Sequence, residues 1–267
     1  MLVSGKSCIY IAVEQKENSG MQQPNIRGRG VATNATGRFE RLQTVACDDG
    51  WDIEEDLPPL RTELRDESAR SLITYNRSPD LSFDRSINPY RGCEHGCVYC
   101  FARPTHAYLG LSPGLDFETR LIARPNAAEI LRREMSSKSY QVAPIAIGTN
   151  TDPYQPVEKT RLITRSCLSV LKDFQHPVAV VTKGALIERD LDILAPMAER
   201  GLSCVGVSLT TLDAQLSRRL EPRAPSPQRR LRMIRQLAGA GARTQVSYYT
   251  LGEGPHSPKV GSEDRGG

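Results

Sequence analysis

From about Asn76 onward, short apolar runs alternate with amphipathic segments along the chain. The apolar runs predict five strands, at 86–90, 144–148, 178–182, 203–209 and 243–249. Between them, apolar residues recur at helical spacing and predict four helices, at 126–137, 158–174, 189–200 and 227–240. Strands that alternate with helices are joined by right-handed crossovers, so the pattern predicts an α/β fold with a parallel sheet.

The two ends of the chain lack this alternation. From residue 24 to residue 70 the composition is glycine, arginine, asparagine and acidic residues, and several of the acidic residues surround Trp51. Such a composition buries too little apolar surface to offset the entropy that is lost on ordering. We therefore predict a flexible, mostly disordered leader over 1–75, a core domain over 76–251 and a disordered tail over 252–267.

Composition and charge narrow the class of protein only slightly. The chain has 35 Lys and Arg against 31 Asp and Glu, a net charge of +4, and a mean hydropathy of -0.42. This mild positive charge permits contact with a polyanion but does not argue for it. No run of about 18 apolar residues occurs and no targeting signal is recognisable, so we expect a soluble, cytoplasmic protein without a membrane partner.

The cysteines carry the strongest chemical signal. Seven are present, and Cys93, Cys97 and Cys100 follow the first predicted strand at C-x3-C-x2-C spacing. An odd number with this crowding is a poor disulfide framework and indicates a metal site. Three thiolates on one loop can hold three irons of a cubane cluster, which leaves the fourth iron open to another ligand. Gly92 and Gly96 allow the tight turns that such a loop needs.

Two other interpretations of the three cysteines remain open. A zinc site would need a fourth Cys or His, and His95 and His106 are near in the sequence, but the spacing is not a usual zinc-finger spacing. Structural thiols without a metal are the other alternative, although three buried cysteines seldom crowd so closely without a shared ligand. Cys167 lies on the apolar face of a predicted helix and Cys204 within a predicted strand, so we expect both to be ordinary buried thiols.

This loop and its flanking strings resemble the radical S-adenosylmethionine superfamily. Residues 88–93 (NPYRGC) and 101–106 (FARPTH) resemble its spore photoproduct lyase-like branch, also labelled DNA repair photolyase-related, and within it a group of bacterial proteins. The resemblance covers roughly residues 27–242. It implies a partial (β/α) TIM-like barrel of the radical SAM type, truncated after about five strands, behind the disordered leader.

The resemblance also implies cofactors and their ligands. Cys93, Cys97 and Cys100 would be the metal ligands, holding a [4Fe-4S] cluster whose open iron binds S-adenosyl-L-methionine. By the same resemblance, the cofactor-binding residues are Tyr99, Thr149, Asn150, Thr151, Asp152, Lys183, Ser208 and Glu221. An electron from the reduced cluster would cleave S-adenosylmethionine and release a 5'-deoxyadenosyl radical that abstracts hydrogen from a substrate.

Three of these carried-over sites have a plainer alternative. Residues 149–152 match the segment near the methionine amino group, but Asn and Asp before Pro153 also favour a capped turn. Lys183 matches a lysine that holds the cofactor carboxylate, whereas a lysine after a buried strand is often simply solvated. The backbone of Tyr99 matches the position near the adenine. Ser208 matches a position near the ribose or the carboxylate, although a lone serine in a strand is often structural.

The sequence departs from the branch in two places. True spore photoproduct lyases have a hydrogen-donating cysteine where Thr149 stands, and a threonine O–H bond is too strong for that role. Thymine-dimer repair by that route is therefore not expected, and the catalytic residues are unknown. The second departure follows residue 243, where relatives continue with an apolar strand and a sixth βα unit but this chain becomes polar.

The function predicted from the sequence is that of a radical SAM enzyme of unknown substrate, with nucleic acid as the substrate class that the branch suggests. A flavodoxin or ferredoxin would supply the electron, because no second cysteine cluster exists. The alternative is a non-catalytic iron–sulfur protein or an inactive truncated product. Seven arginines between 218 and 235 are expected to form a solvated helix face rather than a phosphate site, because no interleaved aromatics accompany them.

Overall fold

A computed structural model describes residues 28–39, 60–79, 81 and 83–247. The strands are β1 (Glu63–Asp66), β2 (Thr74–Tyr75), β3 (Arg85–Ile87), β4 (Tyr90–Arg91), β5 (Arg120–Ala123), β6 (Ile145–Ile147), β7 (Val178–Thr182), β8 (Ser203–Ser208) and β9 (Thr244–Ser247). The helices are α1 (Asp116–Thr119), α2 (Ala127–Met135), α3 (Glu158–Arg161), α4 (Ile163–Asp173), α5 (Leu191–Glu199), α6 (Ala214–Leu220) and α7 (Pro227–Gly239). Two 3₁₀ segments, Arg103–Leu109 and Ala185–Asp190, complete the described elements.

The larger sheet has the order β2-β3-β6-β7-β8-β9, and every pair from β3 to β9 is parallel. Only β2 at the edge runs antiparallel to its neighbour. Consecutive parallel strands are therefore neighbours, each reached through a helical connection, as in a partial (β/α) barrel. The predicted α/β class and all five predicted strands are confirmed, with boundaries shifted by at most three residues.

The first predicted strand is shorter than expected and is followed by a change of sheet. The structure ends β3 at Ile87, and β4 joins a second, three-stranded sheet of order β1-β5-β4. Pro89 explains the break, because it has no N–H to continue the ladder. Its carbonyl instead accepts a hydrogen bond of 3.0 Å from the Arg124 amide. The sequence did not predict this second sheet, because its strands have only two to four residues.

Part of the predicted leader lies against this core. Strand β1 pairs in parallel with β5, and residues 28–39, called the strap below, contact residues 112–118. Both segments lie before the boundary at residue 75. The boundary at residue 75 stays a prediction. In the structure, the strap and β1 are folded against the core domain. The remaining leader and the tail after 247 lie outside the described residues.

Helices pack on one face of the larger sheet around a continuous apolar core. Fully buried residues from the sheet and its helices include Leu131, Ile147, Leu168, Val180, Leu194, Val205 and Leu237. The predicted helix 158–174 is divided into α3 and α4, because Leu162 adopts a left-handed conformation with φ 55°. Gly201, with φ 71°, follows α5 as predicted. Among the described residues, none of the helices has the length and apolarity needed to cross a membrane.

Candidate active site at the carboxyl edge of the sheet

A cleft of about 100 Å³ opens where the parallel strands end. Because β3, β6, β7 and β8 run in the same direction, the loops that follow them meet at this edge. The lining residues come from the cysteine loop and from the ends of β6, β7 and β8, and they include Cys93, Cys97, Cys100, Thr149, Asn150, Thr151, Asp152, Lys183 and Ser208. The structure thus brings together nine of the eleven predicted site residues. The other two, Tyr99 within the cysteine loop and Glu221, do not line this cleft.

The cysteine loop is held in a fixed turn. Gln155 spans its start, because its Nε2 donates to the Gly92 carbonyl at 3.1 Å and its Oε1 accepts from the Glu94 amide at 3.0 Å. Gly92 has φ 78°, and a Cβ there would lie 2.8 Å from a backbone carbonyl, so a side chain does not fit. Burial is the main cause that raises the pKa of the Cys97 thiol, to about 12. A bound metal would therefore have to stabilise the thiolate form.

The three cysteines line one cleft. Cys93 and Cys97 are buried and Cys100 is partly exposed, and all three line the same cleft. Among the residues described, no three His, Cys, Asp or Glu side chains converge to hold one metal ion. A cubane makes no such demand, because each cysteine binds a different iron. His95 lies in the cleft wall, whereas His106 does not line it.

The Arg103 guanidinium holds the Cys97 carbonyl, in the middle of the cysteine loop. Its Nε and Nη2 donate to the Cys97 carbonyl at 3.2 and 3.0 Å, and it forms a buried ion pair of 2.5 Å with Glu118. Glu118 also accepts a 3.0 Å hydrogen bond from the Gly30 amide of the strap. A Cβ on Gly30 would lie 1.8 Å from the Gly96 carbonyl, so the strap lies directly on the loop. Sequence reasoning included Arg103 in a family string but assigned it no role.

The turn after β6 is held by a residue that the sequence analysis did not select. Asn88 donates to the Thr149 hydroxyl at 3.0 Å and accepts from the Asn150 amide at 3.1 Å. The Thr151 hydroxyl lies 3.4 Å from the Tyr90 carbonyl. Asn88 therefore fixes the predicted cofactor segment to the end of β3. The signal in the sequence that could have identified Asn88 is its position between a strand and Pro89.

The Asp152 carboxylate, in the loop after β6, holds the end of β7 by hydrogen bonds. It accepts hydrogen bonds from the Thr182 hydroxyl at 2.6 Å, the Lys183 amide at 2.7 Å and the Tyr154 amide at 2.9 Å. The His95 Nδ1 atom lies 3.3 Å from the same carboxylate. Burial opposes ionisation, but the imidazole and these donors outweigh it and hold the pKa of Asp152 well below its usual range. Its oxygens are thus largely engaged by the protein itself.

Lys183 extends a cation to the cleft. Its Nζ lies 5.7 Å from the centre of the Tyr99 ring, and in the described part of the chain it forms no ion pair with a carboxylate. Burial lowers the pKa of this ammonium, but the nearby Cys97, Glu221 and Asp152 groups more than offset that effect and leave the pKa raised. The side chain is therefore protonated at neutral pH and available to an anionic group.

Ser208, at the end of β8, supplies an unpaired polar atom. Its Oγ is buried and has no hydrogen-bond partner among the described residues, although it lines the cleft. A buried hydroxyl without a partner costs about 1–3 kcal/mol. A polar ligand in the cleft would remove that cost. Together with Lys183 and the three cysteines, this atom gives the cleft the kinds of groups that would hold a cluster and a zwitterionic polar cofactor.

Glu221 does not line the cleft but supports the loop from behind. The Tyr99 hydroxyl and the Arg230 guanidinium both donate to its carboxylate, as does the Thr210 hydroxyl at 2.7 Å. Burial opposes ionisation, but these donors outweigh it and lower the pKa of Glu221. Arg230 also donates to the Ser208 carbonyl at 3.0 Å. The expectation that every arginine between 218 and 235 is solvated is wrong for Arg230, because Glu221 and backbone carbonyls pair its guanidinium.

Fold and site together define an α/β barrel-type protein with a thiol-lined cleft at the carboxyl edge of its parallel strands. The family model described as Radical SAM superfamily matches residues 87–257, which is more than half of the chain. The chain belongs to the radical SAM superfamily. Membership implies an iron–sulfur cluster and S-adenosylmethionine as cofactors, and it confirms the family resemblance of the cysteine motif.

Relatives agree with this assignment. An uncharacterised protein of Mycobacterium tuberculosis (strain H37Rv) is 42% identical over 161 residues, which is 60% of this chain and 47% of that protein. An uncharacterised protein of Methanocaldococcus jannaschii is 24% identical over 178 residues, or 66% of this chain and 63% of its own length. The chain thus spans about half the length of the mycobacterial relative.

Solved structures of spore photoproduct lyase share the fold. A cysteine-to-serine variant has a TM-score of 0.51 and 19% identity, over 68% of this chain and 50% of that one. The complex of the lyase with a dinucleoside spore photoproduct has a TM-score of 0.50, 18% identity and the same coverage. At these identities the likeness concerns the fold, and it confirms the predicted partial barrel.

Proposed function

We propose that this chain is a radical SAM enzyme. Cys93, Cys97 and Cys100 hold a [4Fe-4S] cluster, and S-adenosylmethionine binds in the cleft beside it. When bound and reduced, these cofactors supply a 5'-deoxyadenosyl radical for hydrogen abstraction. The observation that supports the proposal most directly is the common cleft, in which three cysteines of one loop face a lone cation and an unpaired buried hydroxyl.

The protein groups divide into those that contact the cofactor and those that position it. Lys183 pairs with the methionine carboxylate, and Ser208 donates to the carboxylate or to the ribose. The segment from Thr149 to Thr151 faces the methionine amino group, and the backbone of Tyr99 lies near the adenine. Asp152 and Glu221 act as positioning residues, because protein donors already occupy their carboxylates.

Formation of 5'-deoxyadenosine tests the proposal. Anaerobically reconstituted protein is mixed with dithionite and S-adenosylmethionine, and the products are measured by chromatography. We expect 5'-deoxyadenosine and methionine in equal amounts, and none when dithionite is omitted. A protein that retains its full iron and sulfide but forms no 5'-deoxyadenosine would instead be the non-catalytic iron–sulfur protein.

Replacing Lys183 with methionine should weaken binding of S-adenosylmethionine. A hydrogen bond to a charged group contributes about 1.5–3 kcal/mol, so the dissociation constant is expected to rise roughly 10- to 150-fold. Equilibrium dialysis of the reconstituted, unreduced protein measures it. Lys159→Met is the matched control, because Lys159 lies on a neighbouring groove and does not line the cleft. Equal constants for Lys183→Met and the parent would exclude the carboxylate role.

The proposal extends to a substrate class and an electron donor. A nucleic-acid substrate is supported by fold similarity to spore photoproduct lyase, and the mild positive charge permits it. Thr149 donates no hydrogen atom, so the reaction differs from thymine-dimer repair through a cysteine at that place. A cytoplasmic flavodoxin or ferredoxin supplies the electron, because Cys167 and Cys204, the other described cysteines, lie away from the cleft lining.

A further inference from the structure

The route by which an electron enters is constrained by what surrounds the cysteine loop. One side of the loop faces the cleft, and the strap covers Gly96 on another side. Cys93 and Cys97 are buried, whereas Cys100 is partly exposed. Electron transfer slows steeply with distance, so a donor protein must approach where the loop is least covered. That part of the loop is the stretch from Val98 to Cys100.

One segment borders this stretch and is tied to it at both ends. The Thr210 hydroxyl lies 2.8 Å from the Tyr99 hydroxyl, and the Leu220 carbonyl accepts a 3.0 Å hydrogen bond from the Val98 amide. Residues 210–220, which include α6, therefore lie beside the loop between its second and third cysteines. None of the residues predicted from the sequence to bind the cofactors lies within 210–220.

The surface formed here combines apolar and basic side chains. Val98 is 41% exposed, Leu212 60% and Leu216 40%. Arg218 and Arg219 are exposed on α6 and form no ion pair in the part of the chain that the structure describes. We call these five residues the α6 face. The Arg218 guanidinium donates to the Pro222 carbonyl at 2.9 Å. Single exposed leucines are ordinary, but three exposed apolar side chains and two exposed arginines around one short segment are typical of an interaction surface.

We propose that the α6 face docks an acidic electron-donor protein of the flavodoxin kind. The inference rests on the proposed function, because it assigns the entry point of the electron that the cluster needs. Arg218 and Arg219 attract an acidic partner, and Val98, Leu212 and Leu216 form the dry centre of the contact. Asp213 is the one carboxylate in the segment 210–220, and it caps α6 by accepting from the Gln215 and Leu216 amides. A nucleic acid is the alternative occupant of this face, and the binding measurement below includes it.

Charge reversal separates docking from catalysis. Flavodoxin with its reductase and NADPH is used as the donor, and dithionite is used in parallel. For Arg218→Glu/Arg219→Glu, formation of 5'-deoxyadenosine with flavodoxin at low salt should fall about 10-fold or more. The rate with dithionite and the cluster absorption should equal those of the parent. Arg232→Glu/Arg235→Glu, which changes two exposed arginines of α7 by the same net charge, should retain the flavodoxin rate.

A binding measurement distinguishes failure of the docking inference from failure of the proposed function. Affinity of flavodoxin for the reconstituted protein is measured without turnover, and the α6 double variant should lose it while the α7 variant does not. Equal binding by parent and α6 variant overturns the inference, even if dithionite supports full cleavage. Preferential loss of oligonucleotide binding in the α6 variant, with flavodoxin binding unchanged, also overturns it. Absence of cleavage with dithionite counts against the proposed function instead.

Discussion

Cys97→Ala is expected to abolish the iron–sulfur cluster. Cys97 is the middle cysteine of the loop, and the described cysteines outside the loop, Cys167 and Cys204, do not line the cleft and so do not replace it. A cubane with two protein thiolates is not retained, and the broad absorption at about 400 nm should disappear. Iron and sulfide content should fall to background, and 5'-deoxyadenosine formation should be lost with them. Absorption spectroscopy and metal analysis of anaerobically reconstituted protein provide the measurement.

Cys167→Ala is the matched control for this experiment. Cys167 is fully buried within α4, where burial raises the pKa of its thiol, and it does not line the cleft. Replacing it removes one thiol from the chain but should leave iron, sulfide and absorption at the level of the parent. Cluster content in Cys97→Ala equal to that in Cys167→Ala would refute the assignment of Cys97 as a ligand.

Arg230→Met should destabilise the domain by roughly 3–5 kcal/mol. The side chains of Arg230 and Glu221 are 1% and 0% exposed, and their ion pair is enclosed by the protein. Removing the guanidinium leaves a buried carboxylate without its strongest partner and frees the Ser208 carbonyl. Urea unfolding of the full-length chain, followed by circular dichroism under anaerobic conditions, measures the free energy of unfolding.

Arg229→Met is the control on the same helix. Arg229 pairs with Glu188 at 2.5 Å, but both side chains are partly exposed, so the pair contributes at most about 1 kcal/mol. The two variants remove the same group from adjacent positions and differ only in burial. Similar losses of stability in both would show that the Glu221–Arg230 pair does not stabilise the domain as we infer.

Arg229 and Arg230 also show the limit of what could be predicted from the sequence. Strand β7 was predicted at its observed bounds, because five consecutive residues rich in valine have one stable context, a buried parallel strand. The cysteine loop could also be predicted from the sequence, because its three cysteines lie within eight residues of the chain. Arg229 and Arg230 could not be distinguished, since their burial depends on a glutamate that is brought near only by folding. Leu162 likewise interrupts a helix in a way that helical spacing does not reveal.

The strap illustrates the same limit over a longer separation. Its polar and glycine-rich composition predicted a flexible leader, yet Gly30 lies on the cysteine loop and is anchored by Glu118. Hydrogen bonds between segments that are far apart in the chain produce no periodic pattern in the sequence, so this contact could not be predicted from it. Asn88 was missed for a similar reason, because its effect is on the orientation of the turn after β6.

The position of the strap sets an order of events during synthesis on the ribosome. Gly30 emerges first, but the carboxylate that anchors it follows 88 residues later. At about 5–20 residues per second, that interval lasts roughly 4–18 s. Cys100, the last of the three cysteines, emerges 18 residues before that carboxylate, so all three are present without the anchored strap for only roughly 1–4 s. During that shorter time the nascent loop is complete but still open on the side that the strap later covers.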